Sequence, residues 1–163
     1  MELRRLTPAD AVAYRELRLR ALHEHPEAFT SSWDEDRHLA LAASEQRLAS
    51  QAFWGAWEGG VLVGMVGLER RLRAKERHKG TVVGMYVPPG YAGRGVGMAL
   101  LQALLAQARA EGLRHLVLTV SEGNDAAQRL YERAGFRAFG IEPRAVLVGG
   151  RFLGKVHLQL ALD

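Results

Sequence analysis

The stretch that most limits what this chain can fold into runs from Thr81 to Glu111. Thr81–Val87 is Val-rich and reads as a buried strand. Pro88-Pro89-Gly90 turns the chain, and Gly93-Arg94-Gly95-Val96-Gly97 leads into an amphipathic helix over Gly95–Glu111. That helix is apolar at Val96, Leu100, Leu101, Leu104, Leu105 and Ala108, the spacing of a face pressed against a sheet, and Gly112 is placed to end it. His115–Val120 follows as a short apolar strand, so the segment is one strand–helix–strand crossover.

The flanking sequence adds an antiparallel meander. Glu2–Leu6 reads as a strand. Thr7-Pro8-Ala9-Asp10 starts a helix to about Leu22, with Thr7 as cap, Pro8 at the first helical position and Asp10 favouring the positive end of the dipole. Asp34–Ser50 reads as a second helix. Phe53–Trp57 and Val61–Leu68 flank Glu58-Gly59-Gly60, a hairpin signal, and Arg70–Lys79 is a charged loop. Asp125–Ala134 is a helix closed by Gly135, and Arg137–Glu142 and Phe152–Leu160 are the last two strands. The order β-α-α-β-β-β-α-β-α-β-β is not a doubly wound alternation. It predicts a mixed α/β (α+β) domain over residues 1–163, with a single mixed, mostly antiparallel sheet of about seven strands flanked by helices. No internal repeat, linker or low-complexity stretch interrupts it.

Composition narrows the function classes. Of 163 residues, 48% are hydrophobic, enough for a core. Lys and Arg total 22 against 18 acidic residues, a balance of only +4 with no dense basic stripe, so no nucleic-acid partner is expected. The absence of cysteine excludes disulfides, thiolate metal sites and a Cys nucleophile. The histidines, among them His23, His25, His38, His115 and His157, lack metal-ligand spacing with carboxylates, so no metal is expected. No apolar run approaches a membrane span and Met1–Leu6 lacks a signal-peptide pattern; a cytoplasmic protein without a membrane partner is the expectation.

Glycines at 93, 95 and 97 let the backbone approach a ligand closely, and the free N–H groups of the helix start suit a pyrophosphate. Arg94 offers a charge-assisted contact. A Walker loop would need Gly-Lys-Ser/Thr, which is absent. The dinucleotide fingerprint would need a third spaced glycine where Leu100 stands.

Ala92-Gly93-Arg94-Gly95-Val96-Gly97 resembles the cofactor loop of the GNAT acyltransferases, Gln/Arg-x-x-Gly-x-Gly/Ala, with Ala92 where Gln or Arg is usual. Asn124-Asp125-Ala126-Ala127-Gln128-Arg129-Leu130-Tyr131-Glu132-Arg133-Ala134-Gly135-Phe136 is similar to that family's Asn-x-x-Ala-x-x-Leu-Tyr-x-x-x-Gly-Phe signature. The two motifs lie one helix and one strand apart, as that fold requires. The resemblance implies acetyl-CoA as cosubstrate. The N–H groups of Arg94, Gly95, Val96, Gly97 and Met98 would hold its pyrophosphate, Met85, Tyr86 and Val87 would pair with its pantetheine arm, and Asn124 and Ala127 would line the same site.

The reaction it implies is direct attack of a neutral primary amine, on a small molecule or peptide, at the thioester carbonyl. Tyr131 would protonate the departing thiolate, since a phenol is protonated at neutral pH. The Met85 N–H would polarise the carbonyl. Splaying of the Met85 strand from His115–Val120 would admit the cofactor. No carboxylate stands on Gly80–Met85, so Glu69 and His78 are the remaining candidates for the base. That gap keeps a second reading open, a non-catalytic CoA-binding sensor or interaction module. Glu27, Asp34, Glu35 and Asp36, between the first two helices where substrates of the family enter, read first as an ordinary solvated acidic face and second as a feature that would favour a cationic amine. A homodimer is also open, with Trp54 or Trp57 as candidate surface.

Overall fold

The computed structural model describes residues 1–163. The strands are β1 (Glu2–Arg5), β2 (Ala52–Glu58), β3 (Val61–Arg70), β4 (Lys79–Tyr86), β5 (His115–Ser121), β6 (Arg137–Val148) and β7 (Arg151–Ala161). The helices are α1 (Ala11–Glu24), α2 (Trp33–Asp36), α3 (Leu41–Ser50), α4 (Val96–Ala110) and α5 (Asp125–Arg133). All strands join one sheet in the order β1-β2-β3-β4-β5-β7-β6. Every neighbouring pair is antiparallel except β4 and β5, the two strands joined by the α4 crossover.

The sheet is covered on both faces. On one, α4 presents Leu100, Leu101 and Leu104, all fully buried, against Val63, Val66, Leu116 and Leu118. Each such leucine is worth about 1.5–3 kcal/mol in burial, which anchors the helix whose first turn forms the candidate site. On the other, Tyr14, Leu17 and Ala21 of α1 and Leu48 of α3 pack on Phe53, Met65 and Tyr86. The Tyr14 and Phe53 rings meet edge to face at 5.1 Å. No helix is long and apolar enough to cross a membrane.

The structure corrects several local expectations. Asp34–Ser50 is not one helix. Ser32 caps the short α2 by accepting from the Glu35 N–H, the chain turns through Arg37–Leu39, and Ala40 is extended (ψ 154°) before α3 begins. The turn residues are exposed, so no packed face holds the helix together there. The first helix opens with a 3₁₀ turn at Pro8–Asp10, and Asp10 does more than complement a dipole. Its carboxylate accepts from the Thr7 N–H at 2.8 Å and takes both Arg4 Nη atoms at 2.9 Å, clasping β1 to the helix start. β6 runs beyond Glu142 to Val148, because register shifts between Glu142 and Val146 absorb Pro143 on an edge strand. Trp54 and Trp57 are half-buried, Trp54 against the α4-side core and Trp57 against the α1-side core with the Arg4 guanidinium 4.3 Å from its ring centroid. Four of the exposed large apolar residues, Phe139, Ile141, Leu147 and Phe152, lie together on β6 and β7.

Candidate active site

The parallel ladder between β4 and β5 lasts only from Lys79↔His115 to Thr81↔Val117, whereas β5 stays paired with β7 as far as Ser121. Beyond Thr81 the two parallel strands part. On its other side β4 carries an extra residue: three steps from Val83 to Tyr86 match two from Gly67 to Met65 on β3. Gly84, at φ +63°, sits in this bulge, in a conformation that L side chains avoid. Gly84 and Met85 therefore have no partner in the β3 register, and the backbone is re-aimed where the strands split.

Two cavities open at the split. The larger, about 1080 Å³, is lined by Met85, Tyr86 and Val87 at the end of β4, by Ala92, Gly93, Gly95, Val96, Gly97 and Met98, and by Asn124 and Ala127 at the start of α5. Gly93 (φ +75°) and Gly95 (φ +77°) are left-handed, and a Cβ at either would meet nothing within 4 Å. Their backbone thus faces open space that a side chain would occupy. Gly95 caps α4 without a side-chain hydrogen bond, so the N–H groups of the first turn point outward without intrahelical acceptors. This is a cradle for an anion, and it fits a pyrophosphate on its own geometry. Gly97 is small for another reason: its Cβ would stand 3.2 Å from Leu130 Cδ2, so the glycine lets α4 and α5 close up. The Arg94 side chain does not line the cavity. Its guanidinium lies 5.2 Å from the Tyr91 ring centroid and 3.9 Å from Glu58, at the rim of the loop.

The smaller cavity, about 520 Å³, runs along the gap between Thr81–Met85 and Val117–Ser121. It shares Ala28, Phe29, Met85, Ser121, Asn124 and Ala127 with the larger one, so the two meet at the split. Tyr131 lines it from α5, buried with its ring edge-on to Phe136 at 5.8 Å. Burial alone pushes the Tyr131 phenol above its usual range, so it stays protonated well past neutral pH. Asn124 spends its Oδ1 on the Ala127 N–H (3.3 Å), capping α5, and lines both cavities. Glu69, half-buried at the end of β3, borders the smaller cavity. His78 does not: it is exposed, and its carbonyl accepts from the Arg114 N–H at 2.8 Å, at the opposite end of β4 from Met85.

The segment from Pro26 to Thr30 crosses the split. Ser121 Oγ donates to the Glu27 carbonyl, Lys155 Nζ donates to Thr30 Oγ1, and Tyr86 ties the end of β4 to α1 by donating to Glu24 at 3.1 Å. Of the acidic residues between the first two helices, three are engaged locally and one reaches a cavity. Asp36 pairs with Arg18 at 2.7 Å, Asp34 with Arg37 at 3.1 Å, Glu35 accepts from Ser32, and Glu27 faces the larger cavity. What sequence reasoning missed is the opposite charge: Arg18, Arg47, Arg71 and Lys155 all border the smaller cavity.

Residues 18–136 match the profile of the acetyltransferase (GNAT) family. The N-alpha-acetyltransferase RimI of Mycobacterium tuberculosis is 39% identical over 112 residues, 67% of this chain and 68% of that protein. The L-methionine sulfoximine/L-methionine sulfone acetyltransferase of Pseudomonas aeruginosa is 40% identical over 92 residues, 56% of this chain and 54% of that protein, so the match spans about half of that relative's length. The structure of YncA from Salmonella typhimurium with its cofactor acetyl-CoA superposes at a TM-score of 0.84, with 29% identity, covering 100% of this chain and 94% of that one.

Proposed function

The chain belongs to the acetyltransferase (GNAT) family, and from that premise we propose that it moves the acetyl group of acetyl-CoA to a primary amine by direct attack. The observation that carries this reading is the split itself: a glycine cradle with free helix N–H groups opens into one cavity, and a second cavity meets it at Met85 and Ser121. Acetyl-CoA would supply an acetyl group activated as a thioester.

The chain's own residues then take distinct roles. The N–H groups from Arg94 to Met98 hold the pyrophosphate, and the unpaired edge of Met85, Tyr86 and Val87 binds the pantetheine arm. Ala92 leaves the first family position of the loop without a polar side chain, so the grip there is a backbone grip. Asn124 has its amide nitrogen free for the same arm once Oδ1 is committed to capping. The Met85 N–H, released from the β3 ladder by the bulge, is the donor to the carbonyl oxygen. Tyr131, protonated at neutral pH as a phenol is, is the proton source for the departing sulfur. Glu69 is the base for the amine, directly or through a water. His78 takes no role.

The acceptor is not carried over from the family, since relatives as similar as these are named for different substrates. A thermal-shift titration with acetyl-CoA, CoA, ATP and NADH tests the reading. At ~100 times its dissociation constant acetyl-CoA should stabilise the protein by roughly 2.7 kcal/mol, with CoA similar and ATP and NADH inert. No shift with either CoA species would remove the cofactor assignment. A shift without amine-dependent thiol release over a broad acceptor panel would favour the non-catalytic module.

A further inference from the structure

Helix α5 runs past both cavities, and its faces divide between them. Asn124 and Ala127 line both at the split, and Tyr131 lines only the smaller one. Ala126, Leu130 and Arg133, at i, i+4 and i+7, form one stripe and line only the larger cavity. Each residue advances an α-helix by about 1.5 Å, so Leu130 stands about 4.5 Å further along α5 than Ala127, and Arg133 about as far again. Leu130 packs against the Gly97 position, at the level of the glycine cradle. Three levels therefore follow one another along the helix: the split, the cradle, and then Arg133.

The third level is set apart by its charge. Of the residues around the larger cavity only Arg133 and Arg151 carry a permanent positive charge, and neither forms an ion pair. Arg94, on the cradle loop itself, turns away to Tyr91 and Glu58. The two free guanidinium groups belong to different ends of α5. Arg151 is on the β6–β7 hairpin, past the pairing of Lys155 with Ser121, where β5 stops and α5 has not yet begun. Arg133 is in the last turn of α5.

Resting on the acyl-transfer reading above, in which the cradle takes the pyrophosphate, we infer that Arg133 holds the 3′-phosphate of CoA. The covalent order of CoA runs from thiol to pantetheine to pyrophosphate, and then to a ribose that bears a 3′-phosphate and adenine. The levels along α5 follow the same order, so the guanidinium stands at the one next after the pyrophosphate. A phosphate monoester is close to dianionic at neutral pH, and a guanidinium presents paired N–H donors in a plane that suits its oxygens. The C-terminal end of a helix repels an anion unless a cation stands there, and Arg133 is that cation. The residue thereby selects CoA over an otherwise identical carrier that ends in a plain ribose.

The test is calorimetric binding of CoA and dephospho-CoA to the wild type, Arg133→Gln and Arg151→Gln, with thermal melts to show that each variant is folded. The wild type should prefer CoA by about fivefold or more, the scale of one charged contact at an exposed position. Arg133→Gln should weaken CoA to the affinity of dephospho-CoA and leave dephospho-CoA itself unchanged. Arg151→Gln removes the same charge from the same cavity and should keep the preference. Equal binding of the two ligands by the wild type would overturn the inference. So would a preference that survives Arg133→Gln, which would leave the arginine as a complement to the helix dipole alone. A preference lost in Arg151→Gln and kept in Arg133→Gln would overturn it as well, and would move the phosphate to the hairpin. Failure of both ligands to bind the wild type would strike the acyl-transfer reading itself and this inference with it.

Discussion

Leu130 Cδ2 lies 3.2 Å from the point where a Cβ on Gly97 would stand, so the first turn of α4 and the signature helix α5 touch through a position that has no side chain. The two sequence motifs are therefore one packed unit. Gly97→Val should destabilise the protein by about 1–3 kcal/mol through overpacking. In a Leu130→Ala background the same change should cost less by at least ~0.5 kcal/mol, because the crowding partner is gone. Denaturant unfolding of the four proteins measures the difference, and strict additivity would mean that the helices do not press on each other there.

Gly95 is open where Gly97 is crowded, and its φ of +77° is its other constraint. Asn tolerates the left-handed region better than other side chains do. Gly95→Asn should accordingly keep most of the stability, losing less than about 1 kcal/mol, while the new side chain fills the cradle. Acetyl-CoA affinity should fall by about tenfold or more. Calorimetric binding beside a thermal melt separates the effects, and unchanged affinity in the folded variant would move the pyrophosphate away from this loop.

Much of this arrangement was legible before any coordinates. The glycines at 93, 95 and 97, the apolar face from Val96 to Ala108 and the Asn124–Phe136 signature fix the crossover and the cradle, because turn chemistry and helical spacing are local properties. The break after α2 was not legible. Arg37–Ala40 carries no proline or glycine, and the interruption follows from exposed residues that no neighbour holds in a helix. The outward course of Arg94 and the placement of His78 away from Met85 are likewise tertiary facts. The cationic wall is the clearest case: Arg18, Arg47, Arg71 and Lys155 are dispersed along the chain, and only the closing of the sheet and the docking of α1 and α3 bring them together. The pairing of Asp36 with Arg18 and of Asp34 with Arg37, between the first two helices, is equally a product of the fold.

The clasp between Arg4 and Asp10 makes a stability prediction with a definite pH window. The hydrogen bonds from Arg4 hold the Asp10 carboxyl below its usual range, helped by the Thr7 N–H against the cost of burial. A depressed folded-state pKa stabilises above the unfolded value, and the contribution is lost as pH falls through the folded one. Because Arg4 is 40% exposed and partly screened, Asp10→Asn should cost only about 1 kcal/mol at pH 7. The deficit should shrink below pH ~4 and vanish in stronger acid. Urea unfolding at pH 7 and pH 3 measures it; an equal deficit at both would assign the effect to local geometry rather than charge.

Tyr131 carries the last prediction, in which a catalytic role and a merely structural one part company. Burial raises its pKa, so the native state keeps its proton where an unfolded tyrosine, near 10, would release it. For a raised folded-state pKa the stabilisation is complete below the unfolded value and falls as pH climbs toward the folded one. Wild-type stability minus that of Tyr131→Phe should hence be flat to about pH 9 and decline above ~10 by up to about 1.4 kcal/mol per pH unit. That slope reports burial alone and is expected whatever the hydroxyl does in the reaction. As the acid that protonates the leaving sulfur, the hydroxyl should also be worth about a hundredfold or more in kcat, with acetyl-CoA affinity nearly unchanged. An alkaline slope with an undiminished kcat would leave Tyr131 as a buried core residue at the cavity wall and would require another proton source. Loss of kcat together with the slope would fit a phenol that burial keeps protonated for that step.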